Sequence, residues 1–221
     1  MNRYFGNLDV FRTILALSVA LGHFFIWNGQ FGIISQSFYM AVDIFFVLSG
    51  FVLTQKTINS KIAEISRFVN QFLFKRFFRI YPLYILLFTA CALMQFIEFG
   101  KDVDSFYYFL ISFFLLQAMG FETNANHIFA DTVIGISWSI SVELWIGLLF
   151  FPFVFMLKKH TEILLVFCLI LATCATALIF FFSPNYLNVN LQRIGFLTFG
   201  GVRCVGGLAI GCISFFIFGH N

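Results

Sequence analysis

The sequence predicts an all-α membrane protein, a polytopic bundle of transmembrane helices with six to seven spans. Of its 221 residues, 61% are hydrophobic and only 10% are charged, whereas a soluble domain carries about 25% charged residues. Phenylalanine alone occurs 36 times, which is more apolar surface than a water-exposed fold of this size would hide. These proportions place the chain among integral membrane proteins.

The predicted spans follow from the uninterrupted apolar segments. A helix needs roughly 20 apolar residues to cross the hydrocarbon core, and six segments come close to that length, at about residues 8–28, 38–55, 80–98, 134–157, 162–182 and 198–219. A seventh apolar segment, about residues 106–119, is shorter. It is compatible with a short span, a re-entrant segment or an interfacial helix.

The positions of Lys and Arg predict the orientation, because cytoplasmic loops carry an excess of these residues. Segment 56–79 holds six of the thirteen basic residues, so we expect this segment and the N terminus in the cytoplasm. Segment 99–133 is acidic and is expected outside, whereas Lys158 and Lys159 are expected inside. Both expectations hold only if 106–119 does not cross the membrane, which favours the re-entrant or interfacial form.

Composition argues against several other classes of protein. The five cysteines lie in apolar stretches without a C-x-x-C pair, where cysteine behaves as a small apolar residue, so we predict no metal site. The net charge is only +3, and the basic residues cluster in one loop. We therefore expect a lipid bilayer around the chain and no nucleic-acid partner.

Four ionisable residues within the predicted spans are candidates for function, because each costs about 2.5–3.5 kcal/mol at the centre of a membrane helix. They are Arg12, His23, Asp43 and Glu143. Arg12 and His23 are eleven residues apart, which places them on one helix face about 16 Å apart along the axis. With the predicted topology, His23, Asp43 and Glu143 all fall in the outer half of the bilayer.

A carboxylate beside an imidazole fixes its tautomer and raises its basicity. Such a pair can deprotonate a hydroxyl and let it attack an acyl group. The alternative is a buried polar network that only holds the helices together.

A pair of arginines lies at the cytoplasmic start of the third span. Arg76 and Arg79 are three residues apart and share a helix face. Two guanidinium groups on one face suit a phosphorylated ligand, because their fork geometry matches phosphate oxygens. The alternative is an anchor that contacts lipid head groups.

At these residues the sequence resembles the acyltransferase 3 family of membrane O-acyltransferases. Arg12 and His23 match the family's Arg-x10-His pattern. Three further segments are similar to its GVDLFFVLSGF, RRxxRIxPxY and WSLSVE motifs; they read AVDIFFVLSGF at 41–51, KRFFRIYPLY at 75–84 and ISWSISVEL at 136–144. The motifs occur in the family's order.

The resemblance implies an enzyme that transfers an acyl group, commonly acetyl, from cytoplasmic acyl-CoA to a hydroxyl of an extracytoplasmic polysaccharide or glycolipid. It implies His23 as the catalytic residue, and the motif acids Asp43 and Glu143 are predicted to be catalytic with it. Arg12, Arg76 and Arg79 fall on the donor side. The expected location is the bacterial inner membrane.

Two alternatives remain open at this stage. Intramembrane ionisable residues are also used by proton-coupled transporters. Family members usually exceed 300 residues with about ten spans, so residues 1–221 are expected to form a single membrane acyltransferase domain that is incomplete at its C terminus. The chain could accordingly be an inactive truncated remnant of the enzyme.

Overall fold

The computed structural model of the protein describes residues 6–29, 39–99, 109–120, 133–182, 193–194 and 197–219, and the statements below concern these residues. Their long helices, in chain order, are α1 (Gly6–Trp27), α2 (Tyr39–Ile58), α3 (Ile65–Phe99), α4 (Val133–Leu157), α5 (Thr161–Phe182) and α6 (Phe199–Phe218). Two short strands, β1 (Arg193–Ile194) and β2 (Leu197–Thr198), pair antiparallel just before α6. The predicted all-α bundle is confirmed.

The helices match the predicted spans, with one difference in α3. Helices α2 to α6 are each long and apolar enough to cross a membrane, and α1 contains a shorter apolar helix, Val10–Ile26. The 35 residues of α3 form one helix that runs through Pro82. At 1.5 Å per residue it is about 52 Å long, well beyond the ~30 Å hydrocarbon core. The basic segment and the third span, predicted as separate elements, are therefore parts of one helix.

Large apolar side chains cover the outer faces of α3 and α5. Examples are Leu83 and Leu86 on α3 and Leu169 and Ile170 on α5, each more than half exposed. In water such faces would be unfavourable, whereas lipid tails solvate them. Their positions fit a bundle whose outer surface meets a bilayer.

The two basic clusters of the sequence lie at one end of the bundle. Lys158, which follows α4, donates from Nζ to the carbonyl oxygens of Ile62 at 3.2 Å and Ser60 at 3.4 Å, in the loop between α2 and α3. Helix α3 leaves this end, called the basic end below, and α4 returns to it. The stretch between α3 and α4 therefore makes no net crossing, as the charge pattern predicts.

The described part of the seventh apolar segment, residues 109–120, is not a membrane-crossing helix, because only 109–113 is helical. Side chains of α3, α4 and β2 donate hydrogen bonds to its carbonyl oxygens. The donors are Tyr84 Oη to Ser112 at 2.5 Å, Ser141 Oγ to Leu115 at 2.6 Å and Thr198 Oγ1 to Ala118 at 2.8 Å. Irregular backbone at membrane depth is tolerated only where protein encloses it. These bonds supply that enclosure, in keeping with a re-entrant segment.

The core is centred on α6, which packs most extensively against α2 and α5. Helices α2 and α6 touch backbone to backbone. A Cβ atom on Gly50 would lie 2.5 Å from the carbonyl oxygen of Leu208. A Cβ atom on Gly211 would lie 2.6 Å from the amide nitrogen of Phe51 and still closer to the carbonyl oxygen of Val47. Small residues allow this approach, which drives helix association where lipid offers no hydrophobic force.

We expect Gly211→Ala to destabilise the bundle by about 1–3 kcal/mol, because the added methyl group forces two backbones apart. Gly147→Ala is the matched control, since its Cβ would meet the side chains of Phe151 at 3.8 Å and Phe72 at 4.0 Å, which are ordinary van der Waals contacts. The unfolding temperature of each variant can be measured in detergent from the fraction of protein that stays monodisperse after heating. Equal unfolding temperatures for the two variants would contradict the close α2–α6 contact.

Candidate active site

A hydrogen-bonded cluster joins three helices near the basic end. Glu143 on α4 accepts a hydrogen bond from Ser49 Oγ on α2 at 2.5 Å and from Arg76 Nη1 on α3 at 3.1 Å, both at Oε1. Arg76 Nη2 also donates to Ser49 Oγ at 3.2 Å. Each charge is thus balanced within the cluster, as burial of an ion pair requires. This Ser49–Arg76–Glu143 cluster is called the inner polar cluster below.

A second ion pair lies nearer the opposite end. Arg203 on α6 forms a two-pronged contact with Asp43 on α2, from Nε to Oδ1 at 2.8 Å and from Nη2 to Oδ2 at 2.9 Å. Its guanidinium also lies 5.5 Å from the ring centroid of Trp138 on α4. Two parallel bonds of this kind fix orientation as well as distance. The pair therefore ties α2, α4 and α6 together at one level.

The structure corrects the predicted depth of Glu143. We predicted Glu143 beside His23 and Asp43 in the outer half, away from Arg76 at the inner edge. That prediction is wrong, because Glu143 contacts Arg76 and Ser49 directly. Ser49 follows Asp43 by six residues, so Glu143 lies about 9 Å nearer the basic end than Asp43. The physical reason is the long Arg76 side chain, which reaches inward to pair with the acid.

His23 lies on α1, half-buried, and its local contact defines its chemistry. The ring Nδ1 is 2.8 Å from the carbonyl oxygen of Val19, one turn earlier. A carbonyl only accepts hydrogen bonds, so Nδ1 is the donor in this contact, and the neutral form of this tautomer has its lone pair on Nε2. The Val19 carbonyl thus holds Nδ1, and the pairing of a carboxylate with this imidazole stays a prediction. The partner that the structure gives Asp43 is Arg203.

The level of His23, meaning its position along the bundle axis, can be inferred from that of Arg12 on the same helix. Arg12 lines a cavity together with Ser49 and Lys56 of α2, so α1 and α2 run antiparallel. Eleven residues, or about 16 Å, separate His23 from Arg12. That distance brings His23 near the level of Asp43, at the start of α2. Two polar levels result, one with Arg12 and the inner polar cluster and one with His23 and the Asp43–Arg203 pair.

Two adjoining cavities open at the basic end. The deep cavity, of about 330 Å³, is lined by Arg12, the inner polar cluster, Lys56 and Arg79, and by the apolar residues Phe45, Val52, Leu53, Ile80, Leu83 and Ile140. The entrance cavity, of about 530 Å³, is lined by Lys56, Lys75, Arg76, Arg79, Asn59, Ser60, Gln71, Leu53, Thr57, Ile62, Phe68 and Phe72. Ligand pockets commonly have about 300–1,000 Å³. All three arginines predicted to lie on the donor side line this pair of cavities.

Residues 137–145 of α4, which include most of the ISWSISVEL segment, contact neighbouring elements on three different faces of the helix. Ser137, Ser141 and Trp145 follow one another at four-residue spacing and hydrogen-bond residues 114–118 of the re-entrant segment. Trp138 faces α2 and α6, and Glu143 faces α2 and α3. Sequence reasoning singled out Glu143 alone. The four-residue spacing of small polar side chains within an apolar span was the signal for the other contacts.

Sequence reasoning also missed Ser49, Lys56 and Lys75 as site residues and gave Arg203 no partner. Ser49 and Lys56 lie on α2 six and thirteen residues after Asp43, so only the packed structure shows which of them face the cavities. Among the described residues, no three His, Cys, Asp or Glu side chains are grouped so that they could hold a metal ion.

The fold and the site together define an integral membrane protein with charged residues between its helices and a basic, cavity-forming end. A sequence model of the family described as the acyltransferase domain, acyltransferase 3, matches residues 5–220. The chain therefore belongs to the acyltransferase 3 family and is a membrane acyltransferase. This membership favours the enzyme over the proton-coupled transporter that the sequence left open.

Two curated proteins are similar to the chain. One, from Haemophilus influenzae (strain Rd), is named "Uncharacterized protein" and is 33% identical over 186 residues, covering 74% of each chain. The other, "Protein 2 in picA locus" from Rhizobium radiobacter, is 42% identical over 87 residues, covering 39% of this chain and 42% of its own. No solved structure matches the chain significantly.

Proposed function

We propose that the enzyme transfers an acyl group, acetyl in the simplest case, from acyl-CoA to a hydroxyl of an extracytoplasmic polysaccharide or glycolipid. It acts in the bacterial inner membrane with its N terminus and its basic end in the cytoplasm. The donor enters at the basic end, and the acceptor approaches from the opposite side. The acyl donor is a substrate, and the proposal involves no metal.

The observation that carries this proposal is the pair of basic cavities. Cations from three helices line them, namely Arg12 on α1, Lys56 on α2, and Lys75, Arg76 and Arg79 on α3. Coenzyme A carries three phosphate groups, and guanidinium and ammonium groups are the side chains that recognise them. The apolar wall of the deep cavity suits the uncharged pantetheine and acyl end of the same molecule.

His23 supplies the general base in this proposal. Its Nε2 removes the proton from the acceptor hydroxyl as the hydroxyl oxygen attacks the thioester carbonyl carbon. The tetrahedral intermediate then collapses, the carbon–sulfur bond breaks, and the coenzyme A thiolate leaves. The proton held by His23 passes to the thiolate, so the ring returns to its starting form. The Val19 carbonyl keeps Nδ1 protonated throughout.

The two carboxylates have supporting roles in the same proposal. Asp43 holds Arg203 at the level of His23, and Glu143 holds Arg76 at the wall shared by the two cavities. Arg12 lines the deep cavity together with the inner polar cluster, on the helix that carries His23. The donor's acyl end accordingly travels along the face of α1, from Arg12 toward His23, to reach the acceptor.

Sealed membrane vesicles of defined orientation test this function. Acetyl-CoA is charged and does not cross a bilayer. Radiolabelled acetyl-CoA added to inverted vesicles that contain the chain should label the envelope glycans with alkali-labile acetyl groups. Right-side-out vesicles, and inverted vesicles without the chain, should remain unlabelled. Absence of label in inverted vesicles, or equal label in both orientations, would contradict the proposal.

A further inference from the structure

The cations around the two cavities are not equivalent, and Arg76 differs from the rest. Arg76 is bound to Glu143 at 3.1 Å and to Ser49 at 3.2 Å. Only 11% of its side chain is exposed. Its charge is therefore already balanced by Glu143, and two of its five N–H donors already bind Glu143 and Ser49. The other cations of the entrance cavity, Lys56, Lys75 and Arg79, are exposed.

The entrance cavity combines like charges without a lining carboxylate. Among the described residues that line it, none is acidic, whereas four are basic. Like charges at this spacing repel one another, and the repulsion is relieved when an anion binds among them. Asn59 and Gln71 add amide groups to the same wall, which can hydrogen-bond a sugar or a base.

The cations also differ in which cavity they line. Lys56 and Arg79 belong to the wall shared by both cavities. Among the described lining residues, Lys75 belongs to the entrance cavity and Arg12 to the deep cavity. In coenzyme A the diphosphate joins the pantetheine arm to the adenosine, whose ribose carries a separate 3′-phosphate. The order of cations along the cavities matches the order of groups along this molecule.

We propose that Lys75 reads the 3′-phosphate of the donor in the entrance cavity, while Lys56 and Arg79 hold its diphosphate at the shared wall. Arg76, which is paired with Glu143, forms part of that wall without binding the donor. This inference rests on the proposed function and adds a specificity-determining residue, Lys75. It predicts that the enzyme distinguishes coenzyme A from its analogue without the 3′-phosphate.

Binding of coenzyme A and of 3′-dephospho-coenzyme A to the protein in nanodiscs of neutral lipid tests the inference without an acceptor. We expect the wild type to bind coenzyme A about tenfold or more tightly than the dephospho form, the size of one charge-assisted hydrogen-bond contact. Lys75→Gln should reduce that preference to within about threefold by weakening only coenzyme A binding. Lys75→Arg, which keeps the charge, should retain the preference.

Lys61→Gln is the matched control. Lys61 is an exposed lysine of the neighbouring loop, and it is not among the described residues that line either cavity. Its variant should keep the wild-type preference. The same preference in Lys75→Gln as in the wild type would overturn the inference. Equal binding of both ligands by the wild type would also overturn the inference, and it is the result expected if these cations bind lipid phosphates. The proposed function would survive that result. Failure to bind either ligand would overturn the proposed function together with the inference.

Discussion

Replacing His23 with alanine should abolish acyl transfer while leaving the bundle intact. A positioned general base contributes about 10²–10⁴-fold to a rate, so we expect glycan O-acetylation to fall at least 100-fold. The ring is half-buried, and its Nδ1 bonds only one turn back along its own helix, to Val19. Loss of this local Nδ1 contact should leave α1 folded, because the backbone hydrogen bonds of the helix do not depend on the ring. O-acetyl content of envelope glycans, normalised to the amount of inserted protein, measures the effect.

His160→Ala is the matched control for this prediction. His160 lies exposed in the short loop between α4 and α5 at the basic end, outside both cavities' described lining. Its variant should acetylate as the wild type does. Equal, nonzero acetylation by the wild type and His23→Ala would remove His23 from its proposed role. Donor binding should be unchanged in both variants, which separates loss of chemistry from loss of the donor site.

Replacing Arg203 with methionine should cause the largest loss of stability. Arg203 is 4% exposed and contributes both donors of the Asp43 ion pair. Its removal leaves a carboxylate without its counter-ion between helices, which costs about 3–5 kcal/mol for a buried pair. Because the Asp43 side chain is 34% exposed, we expect a value toward the lower end of that range. Thermal unfolding in detergent, as for the glycine variants, measures the effect.

A second substitution distinguishes an unpaired charge from lost packing. Arg203→Met combined with Asp43→Asn removes both charges and should recover part of the lost stability. Arg67→Met is the control, since Arg67 is exposed near the start of α3 and should tolerate the change. A double variant no more stable than Arg203→Met would show that the guanidinium stabilises the bundle through contacts other than the ion pair, such as that with Trp138.

The spans and the basic end could be predicted from the sequence because both depend on local composition. A segment such as 162–182 is apolar whatever it packs against, and lipid exposure demands little more of it. The charge pattern also predicted correctly that no net crossing separates α3 from α4. The prediction that the basic segment and the third span are separate elements was wrong, since α3 is one helix that continues through Pro82. Proline and the basic residues before it resemble a helix boundary when only the sequence is considered.

The partners of the charged residues could not be predicted in the same way. Helical periodicity placed Arg12 and His23 on one face of one helix, which is a local property. Which acid meets which arginine depends on the register between helices. That register is set by close contacts such as Gly50 against Leu208, which fix how α2 and α6 slide and turn on each other. Sequence reasoning therefore placed Glu143 beside Asp43, whereas the packed bundle pairs it with Arg76.

The sequence by itself determined that this protein is a bundle of membrane helices with a basic end, and its motifs indicated an acyltransferase. Composition and periodicity suffice for this because each span is stabilised mainly by its own backbone hydrogen bonds and by lipid. Only the tertiary structure decided that Glu143 pairs with Arg76 and Asp43 with Arg203, and that Lys75 and Arg76 face different surroundings. Those outcomes depend on the distances between side chains of different helices, which packing alone sets.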